Sequence, residues 1–113
     1  MHMEGELGLV YVDDLDEQGW PDDPLSDPRV LACSEPVKLE AFAQIWTPLR
    51  EQLNIPFELL DIQDLPAEAV PAALTWIETP SASDSVALRQ YRPALAAFLR
   101  AAHTRGQGVT VSL

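Results

Sequence analysis

The sequence predicts an α/β fold in which a small, mostly parallel sheet is flanked by two main helices. Two amphipathic stretches, at about 37–54 and 86–104, are long enough for helices, and shorter apolar runs beside them have the length of strands. The second helical stretch lies between predicted strands at Ala72–Glu78 and Val109–Leu113, and such a strand–helix–strand unit usually forms a right-handed parallel crossover. With 113 residues, the chain is expected to form a single compact domain over residues 1–113.

The first third of the chain predicts two strands separated by a loop. Apolar residues at 7–12 predict a buried first strand, and Val30–Cys33 predicts a second. Between them, an acidic segment at about 13–29 contains several prolines, which indicates a substantial loop.

The helix at about 37–54 has apolar residues at spacings of three and four. Pro48 lies inside it and predicts a bend near Thr47, because proline removes one backbone hydrogen bond. The spacing predicts the following buried stripe: Leu39, Phe42, Ile45, Trp46, Leu49 and Leu53.

The segment Phe57–Leu65 fits two structures, since nine residues are too few for periodicity to decide. Its apolar residues fit a strand that leaves the helix, and they also fit a short helix; the strand is the preferred interpretation. A loop is predicted at Pro66–Pro71, followed by the strand at Ala72–Glu78.

The last helix is expected at about 86–104, with Ser83 or Asp84 as its N-cap. Pro93 predicts either a kink or a fresh helix start. Gly106 is expected to end the helix, since glycine accepts left-handed backbone geometry. After it, apolar and polar residues alternate in Val109–Leu113, which predicts a half-buried strand.

The net charge of −11 is the most pronounced feature of the composition. Residues 51–84 hold seven acids and no base, whereas four arginines and no acid follow from Ser85 onward. Nucleic acid is not expected as a direct partner, because phosphate binding requires clustered Lys and Arg. The acids form either an ordinary solvated surface or a face that binds a basic protein, where complementary charge speeds association.

The sequence lacks the motifs of an enzyme, a metal site or a cofactor site. Cys33 is the only cysteine, which excludes a CxxC pair and an internal disulfide, and it is expected to be a buried structural thiol. His103 is expected to meet the C-terminal helix dipole, and the acids at 13–16 are expected to be a solvated loop. No membrane span or signal peptide is recognised, so a cytoplasmic location is expected.

Parts of the chain resemble the barstar family of intracellular ribonuclease inhibitors. Pro71–Trp76 resembles that family's proline, apolar strand and tryptophan element, and residues 98–113 resemble its final helix, glycine turn and strand. In that family, acids on a helix block the cationic active site of a nuclease. The resemblance implies Asp61 and Asp64 as the contact carboxylates, with Glu58 nearby, although the family's glycine and asparagine are missing from this segment.

A second resemblance is to the thioredoxin-like layout. The predicted order of strand, helix and strand, followed by Val70–Ala72 with its proline before the next strand, is similar to that layout. The CxxC pair is missing, so redox activity is not implied.

These observations favour a non-enzymatic protein-binding module, most concretely an inhibitor or immunity protein that occludes a basic toxin or nuclease. The alternative is a catalytically inert thioredoxin-like or scaffold subunit of a larger bacterial assembly. An aromatic anchor such as Trp20 would hold the complex, while charges at the rim would speed association. The expected partner-binding residues are Glu58, Asp61, Asp64, Trp20, Asp22 and Asp23.

Overall fold

A computed structural model describes residues 30–59, 61–79 and 81–113, together with the backbone of residues 8–12. The strands are β1 (Gly8–Val12), β2 (Val30–Cys33), β3 (Ile62–Leu65) and β4 (Val109–Ser112). The helices are α1 (Glu35–Ala41), α2 (Thr47–Leu53), α3 (Val70–Ile77) and α4 (Val86–Thr104), with a π turn at Phe42–Trp46 and a 3₁₀ turn at Ala67–Ala69.

The four described strands form one sheet in the order β2-β1-β4-β3. Every neighbouring pair is antiparallel, so the prediction of a mostly parallel sheet is wrong. The expected crossover is missing because its first element, predicted as a strand at Ala72–Glu78, lies mainly in helix α3. The proline that the thioredoxin-like layout places before a strand lies here in the first turn of α3.

One face of the sheet packs against the helices. Leu65 and Val109 are register partners, and both are fully buried together with Val111. The core joins them to the buried faces of the helices, in particular to Val70, Leu74 and Ile77 of α3 and to Leu88, Leu95 and Leu99 of α4. On the opposite face of β4, Thr110 and Ser112 are also buried. The closing strand is therefore buried on both faces, not half-buried as its alternation predicts.

The helical segment from α1 to α2 is continuous through the π turn. Pro48 has no amide to offer the carbonyl of Gln44, and that carbonyl accepts a hydrogen bond from the indole of Trp76 at 3.2 Å. The wider π turn also changes which residues face the core. Leu39, predicted to be buried, is 47% exposed, whereas Lys38 and the predicted stripe residues Ile45, Trp46 and Leu49 are buried.

Helix α4 occupies the predicted range and passes through Pro93 without a fresh start. Its N-cap is Ser85, not Ser83 or Asp84: the Ser85 hydroxyl accepts from the Leu88 amide at 3.1 Å. The same serine donates from its amide to Glu40 of α1 at 2.7 Å. At the other end, Gly106 has a φ of +70°, which confirms it as the residue that ends the helix.

Candidate functional site

Strand β3 lies at one edge of the sheet and follows the short connection from α2. It pairs with β4 on its inner side, and no other described strand pairs with its outer side. Of the two structures that fit Phe57–Leu65, the strand is confirmed for Ile62–Leu65, while residues 55–58 have no regular structure. The ring of Phe57 is buried against Trp46 at a centroid distance of 5.2 Å, which anchors the connection to the core.

The register determines which backbone groups face outward. The Leu113 amide donates to the Asp61 carbonyl at 3.0 Å, and hydrogen-bonded pairs alternate along an antiparallel ladder. The backbones of Ile62 and Asp64 are therefore directed away from β4. The Ile62 amide bonds to the side chain of Asp61 at 2.9 Å, so the outward groups available to another strand are the Ile62 carbonyl and both backbone groups of Asp64.

Exposed apolar and acidic side chains alternate along this edge. Leu59 is 39% exposed and Ile62 is 48% exposed, and both Asp61 and Asp64 are exposed. The side chain of Asp64 is oriented by a hydrogen bond, because its carboxylate accepts from the Thr110 hydroxyl at 3.0 Å. The edge thus presents oriented carboxylates beside apolar side chains, an arrangement that can bind a basic, partly apolar segment of another chain.

Ion pairs show which acids of the run at 51–84 remain without a cationic partner. Four of the seven acids at 51–84 form salt bridges with arginine, and these are Glu51, Glu58, Glu78 and Asp84. The other three, Asp61, Asp64 and Glu68, have no cationic partner among the described residues. They lie within or next to β3 in the sequence.

Glu58 differs from Asp61 and Asp64 because its charge is already compensated by an arginine. Arg50 bonds to the Glu58 carboxylate at 3.1 Å and to the Phe57 carbonyl at 3.3 Å. Trp20, Asp22 and Asp23, which were predicted as further contacts, lie outside the described residues. The helical arrangement of contact acids implied by the barstar resemblance does not occur, because Asp64 lies in a strand and Asp61 precedes it.

Of the residues considered for catalysis or metal binding, Cys33 and His103 are described, whereas the acids at 13–16 lie outside the described residues. Cys33 packs against the core beside the phenol of Tyr91, and burial together with this thiol raises the pKa of Tyr91 well above 10.0. His103 is exposed in the last turn of α4. No cluster of three potential metal ligands occurs among the described side chains.

A buried ion pair joins α4 to the loop that precedes it. Arg92 donates to Asp84 at 2.6 Å and to the Ile77 carbonyl at 3.1 Å, and the Asp84 side chain is completely buried. Burial alone would raise the pKa of Asp84. Hydrogen bonds from Arg92 and the Ser81 amide, with the charges of Arg92 and Arg89, hold that pKa below 3.8.

Comparisons of the chain with protein-family models, with curated proteins and with solved structures found no match. In the described part of the chain, no helix is both long and apolar enough to cross a membrane.

Proposed function

We propose that the protein is a non-enzymatic binding module that inhibits a basic protein, a toxin or a nuclease, by covering its cationic surface with the β3 edge. The observation that carries the proposal is the collection of carboxylates without cationic partners around one exposed edge strand. Asp61 and Asp64 provide the charges, and the exposed side chains of Leu59 and Ile62 provide apolar contact beside them.

Charge makes a basic partner the favoured one. The chain carries −11, and the carboxylates at β3 are not neutralised internally by described residues. Complementary charge steers two proteins together and penalises wrong partners. In a complex with a nuclease, the carboxylates of Asp61 and Asp64 take the place of substrate phosphates in the cationic site.

The edge geometry suggests how the partner binds. A strand that adds to a sheet edge gains main-chain hydrogen bonds, while its side chains provide specificity. The outward backbone groups of Ile62 and Asp64 supply the main-chain positions. Because Asp61 and Asp64 are three residues apart, their side chains project to opposite faces of the sheet. Basic side chains on either face of an added strand therefore meet a carboxylate.

A scaffold subunit of a larger assembly is the second candidate. It is favoured by the exposed side chains of Leu59 and Ile62, which give the same edge an apolar component. The two proposals differ in their response to salt, since exposed charge pairs are screened whereas apolar contacts are not.

The test compares two variants that change the net charge equally. Asp61→Lys with Asp64→Lys reverses the two β3 carboxylates, and Glu35→Lys with Glu51→Lys reverses two exposed carboxylates on α1 and α2. Wild type and both variants are immobilised, exposed to native lysate and eluted with a salt gradient. Retained proteins are identified by mass spectrometry, purified, and titrated calorimetrically against each variant.

The proposal expects a basic protein that elutes at moderate salt and binds the β3 variant at least about 100-fold more weakly than wild type. The α1–α2 variant should retain most of the affinity. Equal losses of affinity in both variants would show that binding depends on net charge alone and would contradict a binding site at β3. A partner that binds through β3 but resists high salt would favour the scaffold function.

A further inference from the structure

A groove runs along α4, a helix that contains arginines and no acidic residue. It is lined by the end of α3, the loop at Ser81 and Ala82, and one face of α4; it is open to solvent, and its volume is about 670 Å³. Cavities that bind small molecules typically have about 300–1,000 Å³. The size of the groove therefore fits a small ligand.

The α4 wall of the groove is a single stripe of side chains. Arg89, Arg92, Ala96 and Arg100 follow one another at spacings of three and four, which places them on one face of the helix. Pro93 belongs to the same wall. With a rise of about 1.5 Å per residue, the stripe from Arg89 to Arg100 is roughly 16 Å long.

The three arginines of the groove have different freedom to bind a ligand. Arg92 is buried and fully engaged by Asp84 and the Ile77 carbonyl. Arg100 pairs with Glu78 at the rim, where both side chains are about half exposed, and such pairs contribute little free energy and exchange readily. Arg89 is exposed, and its contact is a 3.5 Å hydrogen bond to the Ala82 carbonyl.

Arg89 is therefore the cation of the groove that has no carboxylate partner among the described residues. A guanidinium binds a carboxylate through two parallel hydrogen bonds. The walls beside it are apolar, formed by Ile77, Ala82, Pro93 and Ala96. A polyanion is disfavoured, because a single available arginine cannot balance it in a chain of charge −11.

We infer that this groove binds a small organic monoanion, a carboxylate attached to an apolar body, with Arg89 on the carboxylate and the body against Pro93 and Ala96. Glu78 competes with the ligand for the cations of the groove through its pair with Arg100. The inference is independent of the proposed protein-binding edge, which involves β3 and not α4.

The experiment uses three probes with the same apolar body: 4-phenylbutyrate, 4-phenylbutanol and 4-phenylbutylamine. Each is titrated into the ¹⁵N-labelled full chain, and backbone amide shifts are followed by NMR. We expect 4-phenylbutyrate to shift the amides of the non-proline residues at 77–79, 81–82, 89–92 and 94–100. The alcohol should bind more weakly, and the amine should leave these amides unchanged.

Three exposed-residue variants then test the assignment of charges. Arg89→Gln should weaken 4-phenylbutyrate binding by about tenfold or more, since it removes a charged hydrogen-bond donor. Arg105→Gln removes the same charge beyond the groove and should leave the affinity unchanged. Glu78→Gln should tighten binding severalfold, because it releases Arg100 from its carboxylate.

The inference is overturned if the amine binds as well as the acid, if the shifts lie elsewhere in the chain, or if Arg89→Gln and Arg105→Gln weaken binding equally. None of these variants removes a member of the buried Asp84–Arg92 pair or one of its hydrogen bonds, so each is expected to remain folded. Failure of this experiment leaves the β3 proposal unaffected, because its variants and its partner are different.

Discussion

Replacing Asp84 with alanine should destabilise the protein far more than a typical surface substitution. The change leaves the Arg92 guanidinium buried without its carboxylate, with only carbonyl oxygens of α3 to accept from it. Removal of one partner of a buried pair costs about 3–5 kcal/mol. Domains of this size are stable by about 5–15 kcal/mol, so the variant should lose a large share of its free energy of unfolding.

The matched control is Glu78→Ala, which also removes a carboxylate from an arginine of α4. Both members of the Glu78–Arg100 pair are about half exposed, and exposed pairs contribute about 0–1 kcal/mol. Urea unfolding followed by tryptophan fluorescence measures both variants at neutral pH. A double-mutant cycle with Arg92→Ala isolates the interaction, and the double variant should cost clearly less than the sum of the two single changes.

The pH dependence provides a second, independent measurement of the same pair. The pKa of Asp84 is below 3.8 in the folded protein, so the unfolded chain takes up the proton first as the pH falls. The stabilisation is therefore complete above about pH 4 and is lost as the pH decreases through the folded pKa. Asp84→Asn should show a weaker pH dependence below pH 4 than wild type. The reasoning is refuted if Asp84→Ala costs no more than Glu78→Ala, or if the cycle gives no coupling.

Two further substitutions test other contacts of α4. Burial raises the pKa of Tyr91, so the buried phenol stabilises the protein fully below pH 10, and this stabilisation is lost as the pH rises above 10. Tyr91→Phe should therefore flatten the alkaline decrease in the free energy of unfolding measured with urea. An unchanged decrease would contradict a buried phenol. Ser85→Ala removes the hydroxyl that caps the helix and that donates to Glu40, while the backbone amide keeps its own bond to Glu40. The change should cost about 1–2 kcal/mol, whereas Ser85→Thr, which keeps a hydroxyl, should restore most of it in the same assay.

Helix α4 shows what local sequence pattern can predict. Its range follows from the spacing of its apolar residues, and its end follows from Gly106. The predicted N-caps, Ser83 and Asp84, are both wrong, because either side chain and that of Ser85 can accept a hydrogen bond and local sequence does not distinguish them. The Asp84 carboxylate accepts a hydrogen bond from Arg92, eight residues later in the chain, instead of capping the helix. Ser85 is held in place by its hydrogen bond to Glu40 of α1.

The strand predicted at Ala72–Glu78 is wrong because the buried residues there have the spacing of a helix. Val70, Ala73, Leu74 and Ile77 are buried while Thr75 is exposed, which is the three-and-four spacing of a helix. Pro71 lies in the first turn, where its missing amide has no cost. The segment thus combines the spacing of a helix with β-branched and aromatic residues that are typical of strands, and its structure follows the spacing.

The direction of the sheet, by contrast, depends on tertiary contacts. In the chain, α3 and α4 follow β3 and precede β4, and the two helices pack against each other. The chain then returns to the sheet as β4, which pairs with β3 and is antiparallel to it. The exposure of Leu39 has a similar origin, because the π turn before Pro48 alters the helical phase that a regular period assumes.

Charge shows most directly why a site cannot be located from sequence alone. The seven acids at 51–84 form one uninterrupted run without a base, yet their arginine partners come from outside that run, Arg50 just before it and Arg92 and Arg100 after it. Folding therefore neutralises the run unevenly. The acids of this run that have no cationic partner in the described structure lie within or near β3. Under the proposed function, a basic partner would recognise these carboxylates rather than the total charge.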